Sequence, residues 1–101
     1  MIVVRDVFRL RFGQAKEATE LWKQAVAELQ RSGYGGGNTR LLTDLAGPAY
    51  YTLVLETSFD SLAKWEQAAQ AVKSNAKWRD IYQRIIPLTA EGRREVLTVV
   101  E

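Results

Sequence analysis

The sequence predicts an α+β fold: a four-stranded antiparallel sheet carrying its helices on one face. Three observations predict it. Residues 2–12 alternate with period two, residues 14–32 repeat with a helical period, and the segment 50–56 is apolar on both faces. A strand apolar on both faces asks for cover on both sides of its sheet.

Each element can be read in order. Ile2, Val4, Asp6, Phe8, Leu10 and Phe12 share one face of the first segment, and Val3, Arg5, Val7, Arg9 and Arg11 share the other. Such alternation with β-branched side chains makes a strand, and Gly13 breaks it. From 14 to 32, Ala15, Ala18, Trp22, Ala25, Val26 and Leu29 form an apolar stripe, while Lys16, Glu17, Glu20, Lys23, Glu28 and Arg31 take the other side. Gly33 suits the position just past a helix end.

Tyr34 to Gly37 reads as a loop. A short strand follows over 39–44, then a turn at Gly47-Pro48 and a third strand over 50–56, so that 39–56 forms a hairpin. Ser58 or Asp60 is placed to cap a second helix carrying Phe59, Leu62, Trp65, Ala69 and Val72. Ser74-Asn75 interrupts it and caps a shorter helix with Trp78, Ile81, Tyr82 and Ile85, which Pro87 ends. Residues 94–100 form the last strand.

Strand, helix, strand, strand, helix pair, strand is the order of the split βαβ arrangement, a ferredoxin-like βαββαβ domain spanning residues 1–101. Its first and third strands lie in the middle of the sheet. The third strand places Tyr50 and Val54 opposite Tyr51, Leu53 and Leu55, and the last places Leu97 and Val99 opposite Val96 and Val100. Helices cover one face only, and an exposed apolar sheet invites association. A second copy of the chain is the expected cover. Arg5, Arg9, Leu53 and Leu55 are the expected interface residues, with the arginines needing Glu56, Glu95, Glu101 or an anionic ligand.

Composition narrows the chemistry. Without cysteine there is no disulfide, thiol nucleophile or Cys metal site. Without histidine there is no Ser-His triad, His-ligated haem or imidazole metal site. The net charge of +2 is slight, with no Lys/Arg stripe of the kind that tracks phosphates. Met1 to Val4 runs straight into Arg5-Asp6, too short for a leader, and no segment approaches the ~20 apolar residues of a membrane span. The expectation is a cytoplasmic protein without metal, cofactor, nucleic acid or membrane partner.

Three features remain as candidates. The run Gly35-Gly36-Gly37 follows a helix and precedes a strand, the reverse of a phosphate loop, and is read as a connection. Trp22, Trp65, Trp78 and Tyr82 fall on inward helix stripes, where they either pack as core or frame a cavity for a hydrophobic, aromatic ligand. Asp6 interrupts the apolar face of a central strand. A buried carboxylate is either paired or part of a functional site.

With these segments placed, the chain resembles the dimeric α/β-barrel superfamily and looks most like its NIPSNAP-type and antibiotic-biosynthesis-monooxygenase-type domains. The resemblance lies in Phe12-Gly13 before the Gln14 to Trp22 helix start, in the junction from Leu53 to Glu66, and in Asn75-Ala76-Lys77-Trp78. It implies a homodimer with a pocket between sheet and helices. Two functions are consistent with it. One resembles a cofactor-free monooxygenase, with Trp65, Trp78 and Tyr82 holding an electron-rich aromatic substrate while Asp6 or an arginine handles protons or an oxyanion. The other is a non-catalytic dimerisation or ligand-sensing module. A cavity with Asp6 facing it favours the first, and a filled core with Asp6 ion-paired favours the second.

Overall fold

The computed structural model describes residues 1–35 and 38–101, and gives residues 36 and 37 only as part of a short 3-10 turn, Tyr34–Gly37. The remaining elements are β1 (Ile2–Leu10), α1 (Ala15–Arg31), β2 (Thr39–Thr43), β3 (Thr52–Phe59), α2 (Leu62–Lys73), α3 (Ala76–Ile85), a 3-10 turn (Ile86–Leu88) and β4 (Thr89–Thr98). The four strands form one antiparallel sheet in the order β2-β3-β1-β4. This is the ferredoxin-like arrangement, with β1 and β3 central.

Strand parity decides which side chains meet the helices. Val4 and Leu10 of β1 and Leu53, Leu55 and Phe59 of β3 join Ala18, Trp22, Ala25 and Leu29 of α1 in the core. Val72, Ile81 and Ile85 complete it from α2 and α3. Ala18 and Ala25 are fully buried, so α1 lies close against the sheet. The same parity corrects the expected interface. Leu53 pairs with Phe8 and Leu55 with Asp6, which puts both on the helix face, at 0% and 4% exposure. Covered by their own chain, they are unavailable to a partner. Val54, paired with Val7 and Leu42, lies on the open face in their place.

Arg5 and Arg9 do lie on the open face. There the register lines up Arg40, Glu56, Arg5 and Glu95 in one row across β2, β3, β1 and β4. Arg5 Nε is 3.3 Å from Glu56 Oε2 and its Nη1 is 3.7 Å from Glu95 Oε1, while Arg40 Nη2 reaches Glu56 Oε1. Arg9 is exposed.

Several boundaries differ from the sequence reading for local reasons. β1 ends at Leu10, and Arg11 turns its Nε to the carbonyl of Pro87 at 3.0 Å. β3 begins at Thr52 because Tyr51 takes a positive φ of 60°, and the hairpin is closed by Asp44 Oδ1 accepting from Thr52 N at 2.8 Å. β3 then runs on through Phe59, whose ring meets Tyr34 edge-on at 5.0 Å, so Phe59 is a strand residue and not a helical one. The cap of α2 is Ser61, accepting from Lys64 N, in place of Ser58 or Asp60. β4 starts five residues earlier than the apolar run suggested, because an exposed edge strand needs no apolar side chains at its first half.

Candidate functional site

A cavity of about 200 Å³ lies between the helix face of the sheet and the α2–α3 pair. α2 creates the room. Its inward positions run Trp65, Ala69, Val72, and the alanine leaves open the space a larger side chain would fill. Asp6, Trp22, Trp65, Trp78 and Tyr82, the five candidates read from the sequence, all line this one cavity. Phe8 and Lys73 join them from β1 and α2, and Tyr34 and Arg94 from segments the sequence reading had not connected to it.

The aromatic wall is continuous. Trp22 stacks on Phe8 at 5.1 Å and meets Trp78 at 6.1 Å and Tyr82 at 6.3 Å, while Trp78 and Tyr82 stack at 5.4 Å. Trp22 is 1% exposed, and its buried indole N–H finds no acceptor among the described residues. Buried donors are nearly always satisfied, so this one is an exception within the core.

The polar side of the cavity is a chain of four groups. Arg94 Nε donates to Asp6 Oδ1 at 2.6 Å, and the guanidinium lies over the Trp65 ring at 5.4 Å from its centre. Trp65 Nε1 donates to the Tyr34 hydroxyl at 3.2 Å. The hydrogen bond to Asp6 raises the Arg94 pKa further, despite partial burial, so the guanidinium stays charged. Burial pushes the Tyr34 hydroxyl up more than the Trp65 hydrogen bond lowers it, so the phenol is neutral at neutral pH. Asp6, Phe8, Tyr82 and Arg94 also line a wider hollow of about 390 Å³ between α3 and β4. These four side chains therefore stand between the inner cavity and the surface.

Arg94 was missed because the apolar run of β4 gives no register with β1; only the observed pairing sets Asp6 opposite Arg94. Tyr34 follows the helix stop at Gly33, and the sequence marks it only as loop. A partial signal existed in Gly35. With φ at +70°, a Cβ there would lie 2.2 Å from Thr57 Cγ2, so the chain needs glycine where Tyr34 turns back toward the sheet. The other two glycines of that run lie outside the described residues. Among the described residues no group of three His, Cys, Asp or Glu side chains is placed to hold a metal ion. No described helix is long and apolar enough to cross a membrane.

No family model matches the chain, and no curated protein does. Solved structures match in fold. A NIPSNAP family protein from Agrobacterium tumefaciens superposes with a TM-score of 0.84 at 18% identity, over 99% of this chain and 86% of its own. An uncharacterized NIPSNAP domain protein from Burkholderia xenovorans gives 0.80 at 16% identity, over 99% and 95%. A putative antibiotic biosynthesis monooxygenase from Nitrosomonas europaea gives 0.75 at 13% identity, over the whole of both chains. The chain has the ferredoxin-like fold shared by NIPSNAP and antibiotic-biosynthesis-monooxygenase proteins.

Proposed function

We propose that this chain is a homodimeric domain that encloses a small planar aromatic molecule between its sheet and α2–α3. One observation carries the reading: Asp6, Trp22, Trp65, Trp78 and Tyr82 line a single unfilled cavity. Sites for small organic ligands are concave, mostly apolar, and carry a few placed polar groups. The volume fits, since an engineered apolar cavity of about 150 Å³ already accepts benzene. The second copy covers the open sheet face, where Leu42 and Leu97 are 36% and 46% exposed around the charged row.

A catalytic version of the reading draws on two fold neighbours described as antibiotic biosynthesis monooxygenases. In it Asp6 takes the proton of a phenol and Arg94 holds the resulting oxyanion, an arrangement suited to oxidation by molecular oxygen without a cofactor. The non-catalytic version keeps the pocket for binding alone.

Calorimetric titration with 2-naphthol tests the pocket. Saturable binding is expected, weakened several-fold in Trp65→Phe, with a fall in melting temperature of only a few degrees from the lost Trp65–Tyr34 hydrogen bond, because a cavity wall is not close-packed on its open side. A parent protein that leaves 2-naphthol unbound overturns the reading. An oxygen electrode on the same mixture separates the two versions: uptake matched to consumed naphthol marks an enzyme, and none marks a binding module.

A further inference from the structure

Resting on that pocket reading, we infer that the ligand is a monoanionic aromatic acid of one or two rings, its anionic group taken by Arg94. The lining carries three charged side chains, Asp6, Lys73 and Arg94, a balance of one excess positive charge. Asp6 already engages Arg94 through Nε alone. The two Nη groups of Arg94 and the ammonium of Lys73 have no ion-pair or hydrogen-bond partner among the described residues.

A neutral polar group points the same way: the Tyr34 oxygen is used as an acceptor from Trp65, which leaves its own proton to donate. Against these donors the named lining groups leave one free anionic acceptor, the second Asp6 oxygen. A site rich in donors and short of acceptors is complementary to an oxygen-rich anion. An Arg guanidinium binds a carboxylate through charge-assisted hydrogen bonds, roughly twice as strong as neutral ones and often bidentate, and the aromatic wall shields one side of the pair from water. The aromatic wall selects for the ring, and the charge selects for the acid.

The test compares three naphthalene probes by calorimetry at pH 7: 2-naphthoate, its neutral isostere 2-naphthamide, and 2-naphthol. We expect 2-naphthoate to bind at least tenfold more tightly than 2-naphthamide. Arg94→Gln should abolish that preference, bringing 2-naphthoate down to the affinity of 2-naphthamide. Should Arg94→Gln fail to fold, Asp6→Asn serves, since it removes the carboxylate that competes for Arg94 and should tighten 2-naphthoate several-fold relative to 2-naphthamide. If 2-naphthol binds but 2-naphthoate binds no better than 2-naphthamide, the anion inference falls and the aromatic pocket stands. Equal or weaker 2-naphthoate binding relative to 2-naphthamide in Asp6→Asn overturns the inference too. If no probe binds, both fall.

Discussion

Asp6 is 7% exposed in the middle of a central strand, ion-paired and yet part of a cavity wall. Pairing and a place in the cavity had looked like alternatives from the sequence. They coexist because Arg94 comes from an edge strand and keeps a side chain that is about half exposed, at 55%. The pair is thus anchored on one side and wet on the other, which lowers the desolvation cost that a fully buried pair bears. Glu28 shows the reverse error. Its place on the outer stripe of α1 suggested solvent, yet it is buried, because the start of α3 brings Lys77 and Asn75 against it. Burial pushes its carboxyl up, but hydrogen bonds from Lys77 and Asn75 and the charges of Arg31 and Lys77 outweigh that and hold it below the ordinary carboxylate range. A depressed carboxylate stabilises the fold above its unfolded value, near 4.5, and that contribution is lost as pH falls through the folded value. Thermal melts between pH 6 and pH 3 should therefore drop more steeply in the parent than in Glu28→Gln. Parallel curves would show that the Glu28 cluster adds nothing.

Among the elements, the junction of α2 and α3 does the most with the fewest residues. Asn75 accepts from Trp78 N at 3.0 Å as the cap of α3, and its Nδ2 donates to Ser32 Oγ at 3.0 Å, tying α3 to the end of α1. Since α3 carries Trp78 and Tyr82, this tie also fixes one wall of the cavity. Asn75→Ala should cost about 1–2 kcal/mol in urea denaturation, a cap loss plus the loss of a donor at a buried carboxylate. Ser61→Ala, which removes only an exposed cap, should cost about 0.5–1 kcal/mol. A smaller loss in Asn75→Ala than in Ser61→Ala would refute the tie. The Asn75 cap was legible in the sequence because Asn before a helical stripe has a direct mechanism. The α2 start was not, since Ser58, Asp60 and Ser61 all suit a cap, and only the extension of β3 through Phe59 decides among them. The strand order was legible because topology rules leave few options. The interface leucines were misassigned because Leu53, Val54 and Leu55 are all apolar, and polarity alone does not tell which parity faces the helices.

At the scale of the whole molecule, the row Arg40, Glu56, Arg5, Glu95 has a consequence for symmetry. Read across the sheet its signs run plus, minus, plus, minus. In the proposed dimer two identical faces meet about a two-fold axis, so one row lies against its own copy. An axis along the strands reverses the order, and a reversed alternating row of four sets every plus against a minus. An axis across the strands leaves the order unchanged and sets like against like. The even length of the row thus selects one orientation, with Arg40 facing the partner's Glu95 and Glu56 facing the partner's Arg5. The choice is open to a mixing experiment. Chains carrying Arg40→Glu meet each other with two like-charged contacts, and so do chains carrying Glu95→Lys. A mixed pair restores opposite signs at all four positions. Each variant alone should sediment mainly as monomer where the parent is a dimer, and an equimolar mixture should recover the dimer as one chain of each kind, resolved by native mass spectrometry. Two variants that pair as readily with themselves as with each other would mean that the row does not set the axis.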